Sequence, residues 1–93
     1  MAERLYTGGV VSKALALPTS RLSAMHQYGR ISSSLKLNMR NHGYSVRDVA
    51  VAFAMPLWLT ERLLEMAVEL VQASGPRVVA NYQRRLDEHQ GGE

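Results

Sequence analysis

Two stretches of this chain follow one grammar, and that grammar limits it to short helices joined by tight turns. They open as Tyr6-Thr7-Gly8-Gly9-Val10-Val11 and Tyr44-Ser45-Val46-Arg47-Asp48-Val49. In each, a tyrosine precedes a hydroxyl side chain suited to cap a helix, and apolar residues follow at helical spacing. Shifted by 38 positions, Tyr6, Val11, Ala14, Ala16 and Pro18 fall on Tyr44, Val49, Ala52, Ala54 and Pro56. A proline lacks the backbone N–H and clashes with the preceding turn, so Pro18 ends the first helix and Pro56 either ends or kinks the later one.

The first stretch reads as helix, tight turn, second helix, glycine stop. Thr7 is the expected N-cap, and Val10, Val11, Ala14 and Leu15 give the first helix one apolar face. Leu17-Pro18 ends it. Thr19 or Ser20 then caps a second helix with Leu22, Met25 and Tyr28 inward, closed by Gly29. Ile31 starts an extended segment. In residues 32–43, Leu35, Leu37 and Met39 alternate with Lys36, Asn38 and Arg40, a strand period, and Asn41-His42-Gly43 signals a turn. An extended hairpin is favoured, with a short helix as the alternative. Ser45 caps a helix through about Met55, supported by Asp48 in its first turn. Residues 57–73 give the longest helical pattern. Leu59, Leu63, Met66, Leu70 and Ala73 are its expected inward face, widened by Trp58, Leu64, Val68 and Val71. Ser74-Gly75-Pro76 stops that helix. A final one follows from Arg77 to about Glu88, with Val79, Tyr82 and Leu86 on one side, and residues 90–93 are expected to fray.

Ninety-three residues suffice for one small domain with a modest core. The absence of cysteine excludes disulfides and thiolate metal sites and suits a cytoplasmic location. The longest apolar run, Val49 to Leu59, is too short to span a bilayer, and no membrane contact is expected. Glu3 and Lys13 interrupt the short apolar stretch before Ala14-Leu15-Ala16, against a signal peptide. The net charge of +3 divides unevenly. Residues 1–47 carry Arg4, Lys13, Arg21, Arg30, Lys36, Arg40 and Arg47 against Glu3 alone, a net of +6. Residues 48–93 carry a net of −3. A basic half joined to an acidic half fits a phosphate-facing module with a solvated or partner-facing remainder.

In order and spacing, these elements resemble the DNA-binding half of the MerR and excisionase superfamily of winged helix-turn-helix proteins. The resemblance is carried by Tyr6-Thr7-Gly8-Gly9-Val10-Val11-Ser12, the Leu17-Pro18 turn, Leu22, Gly29 and Tyr44-Ser45-Val46-Arg47-Asp48-Val49, over roughly residues 5–55. It implies a mainly α fold with a short β-hairpin wing and additional C-terminal helices. Residues 1–56 would form the DNA-binding region. Residues 57–89 would complete the core and mediate oligomerisation, and residues 90–93 would be a tail. Val10 stands where the family often has an acidic residue. Ser23, Ala24 and Met25 replace its usual arginine and aromatic residues, so phosphate contacts must differ. The metal-sensing cysteines of some members are absent, and the chain beyond residue 55 is too short for a full regulator's coiled coil. The resemblance is therefore closest to excisionases, small recombination directionality factors of mobile genetic elements that bind beside an integrase and bend DNA. A small transcription regulator is the alternative, and a protein-binding adaptor or inhibitor is the alternative of another class.

A helix in the major groove reads base edges with its exposed first turns. Thr19, Ser20, Arg21, Ser23 and Gln27 are the base-reading candidates. Arg21 leads, because a guanidinium can grip guanine O6 and N7 together, though it could equally hold a phosphate. Lys13, His26 and Arg30 suit phosphate contacts, and Lys36 and Arg40 the wing. Trp58, Leu59, Leu63 and Tyr82 are candidates for an oligomer or partner surface, with repeated DNA sites holding adjacent copies. His26, His42 and His89 lack metal-ligand spacing. Gly8-Gly9 lacks the ending of a phosphate loop, no serine sits in a nucleophile elbow, and Glu61, Glu65 and Glu69 read as a solvated face. No enzyme activity and no cofactor are expected.

Overall fold

The structure is a computed structural model that describes residues 4–36 and 42–91, apart from the side chains of residues 35, 36 and 89–91. Its order is β1 (Leu5–Thr7), α1 (Gly8–Leu15), α2 (Thr19–Gln27), β2 (Leu35–Lys36), β3 (His42–Ser45), α3 (Val46–Phe53), α4 (Leu57–Ser74) and α5 (Arg77–Gly91). β1 and β3 form an antiparallel pair, and the two-residue β2 joins the other edge of β3. Five helices around this small sheet make a mainly α globule with a radius of gyration of 12.0 Å, close to the ~12 Å of a compact chain this long. Among the described residues no helix is long and apolar enough to cross a membrane.

The repeated grammar becomes repeated geometry. Tyr6 and Tyr44 face each other across the β1–β3 ladder, so the two stretches are related by a local pseudo-twofold between them. The Thr7 hydroxyl accepts from Val10 N, and the Ser45 hydroxyl accepts from Asp48 N. Asp48 completes a capping box by accepting from Ser45 N, and also accepts from the Ser34 hydroxyl at 2.6 Å. Both first helices end alike. Ala16 lies at φ 54°, ψ 42° and Ala54 at φ 53°, ψ 46°. The next residue's N–H returns to the helix in each case, Leu17 to Ser12 O and Met55 to Ala50 O, both at 2.9 Å. Pro18 and Pro56 then share φ −62° and ψ 144° and start α2 and α4. Pro56 thus ends α3, which stops at Phe53 rather than near Met55.

Val10, Val11, Leu22, Val49, Leu64, Ala67, Val68 and Val71 belong to one buried cluster with Tyr6 and Tyr44. Each fully buried aliphatic side chain contributes about 1.5–3 kcal/mol. α4 is therefore integral to the core under α1 and α3, not an appendage. Its buried stripe is Thr60, Leu64, Ala67, Val68 and Val71. This corrects the expected inward face: Trp58, Met66 and Leu70 are more than half exposed, Ala73 is exposed, and Leu59 and Leu63 are partly so. Small Ala67 and Thr60, whose hydroxyl donates to Pro56 O, permit close helix packing, so size and hydrophobicity alone misplace the stripe.

α5 packs over β1 and the first turn of α1. A Cβ on Gly9 would lie 2.7 Å from both Val79 methyl carbons, so only glycine admits this approach. Gln83, fully buried, closes the free edge of β1: its Oε1 accepts from Thr7 N at 3.0 Å and its Nε2 donates to Leu5 O at 2.9 Å. Val79, Leu86 and Gln83 thus form the inner face, and a glutamine supplies its polar centre. Arg4 makes two bonds to the Asp87 carboxylate and stacks 5.4 Å from the Tyr6 ring centre. The bond to Asp87 raises the Arg4 pKa, and burial pushes the Tyr6 hydroxyl up. α5 runs through Gly91, past the expected start of the tail.

The hairpin is present but shifted. Leu35 pairs with Gly43 and Lys36 with His42, so His42 and Gly43 belong to a strand rather than the predicted turn. Gly43 sits in a tight space: a Cβ there would lie 3.3 Å from Leu5 and Leu86 side-chain carbons, which would have to give way by a few tenths of an ångström. Leu37, Met39 and the hairpin tip lie outside the described residues.

Candidate nucleic-acid interface

α2 is a nine-residue helix anchored by one buried side chain, Leu22, with Met25 partly buried beside it. Thr19, Ser20, Arg21, Ser23 and Gln27 are all exposed, and none of residues 19–27 is acidic. The expected capping role of Thr19 or Ser20 is not used. Pro18 occupies the N-cap without a side-chain bond, so both hydroxyls stay on the exposed first turn. At the other end, Arg30 N donates to Met25 O and Gly29 turns at φ 73°, stopping the helix as the sequence predicts.

Two grooves flank α2. On one side Arg21, Met25, Tyr28 and Arg30 line a depression that reaches Leu17 and Phe53. Tyr28, expected inward, is 78% exposed there and shares the depression with Arg21 and Arg30. At 3.6 residues per turn it lies about 240° around the helix from Leu22, which takes it off the inward face. On the other side a cleft of about 490 Å³ runs between α2, the start of α1, β3 and α5. Thr19, Ser23 and His26 of α2 share it with His42, Tyr44 and Tyr82. The His26 and His42 rings stack with centroids 4.0 Å apart, and Tyr44 meets His26 edge-on. The Ser33 hydroxyl lies 3.3 Å from His26 Nε2 and 3.5 Å from His42 Nδ1, tying α2 to β3. Burial, then the Asp48 charge, pushes the Tyr44 hydroxyl up.

Lys13 is exposed on the last turn of α1 and lines a further groove with Thr19, Leu17 and Pro76. Lys36 lies on β2 by its backbone. Its side chain, and Arg40 altogether, fall outside the described residues. Tyr82 does not join Trp58: it faces the α2 cleft, whereas Trp58 lines a groove on α4 with Glu61, Arg62, Glu65 and Met66. Among the described residues no cluster of three or more histidine or acidic side chains could hold a metal ion.

His42, Ser33 and Tyr28 were not among the expected contacts. The signal for His42 was its place two residues before Tyr44, on the same face of a strand as that buried ring. Ser33 carries no sequence signal, because its role depends on how the extended segment passes between the two histidines. No protein-family model, curated protein or solved structure matches this chain.

Proposed function

We propose that this chain is a winged helix-turn-helix protein that binds duplex DNA, with α2 as its reading helix and the β2–β3 hairpin as its wing. The observation that carries this reading is the chemistry of α2: a short, exposed, carboxylate-free helix bearing Thr19, Ser20, Arg21, Ser23 and Gln27, with exposed Lys13 and Arg30 nearby. The order of β1, α1, α2, hairpin and α3, with β3 central in the sheet, agrees with it. Arg21 reads a base or grips a phosphate. Lys13 and Arg30 hold phosphates. We place it with the excisionase type of recombination directionality factor, acting in DNA recombination beside an integrase, with transcription regulation as the alternative role. Copies bind adjacent sites and touch through the exposed apolar side of α4.

Duplex affinity measured over a series of salt concentrations tests this. The logarithm of affinity should fall with the logarithm of salt with a slope of about −0.9 per phosphate neutralised. No binding to any duplex at low salt sinks the proposal. Stimulation of excision in a recombination assay with the neighbouring integrase separates excisionase from regulator.

One observation favours a second reading. Trp58, Met66 and Leu70 are 68%, 53% and 51% exposed on α4, and Trp58 and Met66 line a groove with Glu61, Arg62, Glu65 and Glu69, a mixed apolar and charged surface suited to a protein contact. A protein-interaction module would use that surface and show no steep salt dependence on DNA.

A further inference from the structure

We infer that the His26–Ser33–His42 bridge is a proton-linked clamp for a phosphate group of the DNA backbone, an inference that rests on the DNA-binding reading. The bridge joins the proposed reading helix to the proposed wing strand, the two elements between which a duplex backbone would pass. Its cleft wall is rich in groups that donate to phosphate oxygens: the hydroxyls of Thr19 and Ser23 from α2 and of Tyr82 from α5. Among the described residues no lysine, arginine, aspartate or glutamate lines the cleft. Among the described residues that line the cleft, the other titratable groups are Tyr44 from β3 and Tyr82 from α5, while β1 contributes Thr7 and α1 contributes Gly8 and Gly9. Among the described residues the carboxylate acting on Tyr44 is Asp48, engaged by Ser34 and the Ser45 backbone.

The chemistry of the bridge sets its proton count. A single hydroxyl can accept from one ring N–H and donate to the bare nitrogen of the other. Ser33 therefore matches a pair in which at least one bridging nitrogen is unprotonated. Protonating both rings makes Ser33 an acceptor from each and turns its O–H outward, at the cost of two imidazolium rings stacked at 4.0 Å. A phosphate in the cleft offsets that repulsion and can accept the released Ser33 proton as a hydrogen bond. Phosphate binding and proton uptake thus favour each other, in the pH range where histidine titrates.

The test measures affinity of the full chain for a duplex between about pH 7.5 and about pH 5.5 at constant ionic strength, beside His26→Gln, His42→Gln and Ser33→Ala chains. The natural chain should bind roughly three- to tenfold more tightly per pH unit lost, and each histidine variant should flatten that slope. Ser33→Ala should weaken the slope without removing an imidazole. Titration of the imidazole protons by NMR, with and without inorganic phosphate, requires no variant. The histidine pKa values should rise with phosphate, and a rise with duplex but not with free phosphate assigns the site to the DNA backbone. Duplex binding with no pH slope, or a slope that survives in both histidine variants, overturns the clamp and leaves the DNA reading standing. Absence of duplex binding at every pH overturns both.

Discussion

β1–α1–α2 and β3–α3–α4 start from the same backbone and end in opposite chemistry. Thr7 and Ser45 cap, Ala16 and Ala54 turn left-handed, and Pro18 and Pro56 restart the chain at the same angles. Beyond the prolines, Thr19, Ser20, Ser23 and Gln27 correspond to Leu57, Trp58, Glu61 and Glu65. All eight are exposed. One half therefore presents hydroxyl and amide groups that phosphate and base edges accept. The other presents apolar and acidic groups that repel a duplex and suit packing or a protein. Inside, the correspondence also divides: partly buried His26 stands where the second half has Leu64, which is 1% exposed. The helix-cap grammar sets the path of the chain, and the residues hung on each second helix set what that helix is for.

The largest break in this asymmetry comes from the core side. Leu64→Ala removes a side chain buried between α4 and its neighbours and should destabilise the fold by about 2–5 kcal/mol. His26→Ala, at the corresponding position, should cost much less. Urea unfolding of both chains checks this, and equal losses would mean that α2 is as deeply built into the core as α4.

Next is the docking of α5, which packs on β1, α4 and the start of α1 and presses Val79 against Gly9. Gly9→Ala drives a methyl group into Val79, whose two methyl carbons already lie 2.7 Å from the ideal Cβ position. Overpacking of this kind costs about 1–3 kcal/mol. Arg47, the corresponding residue of the second half, is exposed, and Arg47→Ala should leave the unfolding midpoint nearly unchanged. A shifted Gly9→Ala midpoint with loss of amide protection along β1, where Gln83 holds the edge, would locate the damage at α5.

If α2 is the reading helix, as proposed, the two second helices should separate cleanly in duplex binding. Arg21→Ala should weaken duplex binding by about 1–3 kcal/mol and relax sequence preference if Arg21 reads a guanine. A loss uniform over all sequences would assign it to phosphate. Arg62→Ala on the acidic helix should leave binding unaltered. A comparable loss from Arg62 would put DNA on the wrong face of the molecule.

Much of this was legible in the residues because capping is local chemistry. A hydroxyl at an N-cap, an aspartate three residues on and a proline after the turn each act within one helical turn. Thr7, Ser45–Asp48 and Pro56 accordingly stand as the sequence predicts. What was not legible depends on which neighbour arrives. The α4 stripe is set by close packing, which favours Thr60 and Ala67 over larger Leu59 and Met66. Gln83 looks like a surface residue until β1 presents an open edge to it. Gly43 looks like a turn until Leu5 and Leu86 close over it. The exposed polar side of α2 was readable from its composition. The histidine bridge beside it was not, since it joins residues from α2, the extended segment and β3.

The smallest effect tests the grammar itself. Ala16 and Ala54 are the described non-glycine residues at positive φ, at 54° and 53°. A left-handed residue with a Cβ costs roughly 1–2 kcal/mol through its clash with the following carbonyl. Glycine removes that clash but adds freedom to the unfolded chain, so a net gain of about 0.5–1 kcal/mol is expected from Ala16→Gly and again from Ala54→Gly. The two sites share one turn geometry and lie in separate halves, so the gains should be equal and additive in the double variant. Thermal unfolding of the three chains reads this directly. Unequal gains would mean that the two turns are alike in shape but carry different strain, and the pseudo-twofold would then describe the path of the backbone without its energetics.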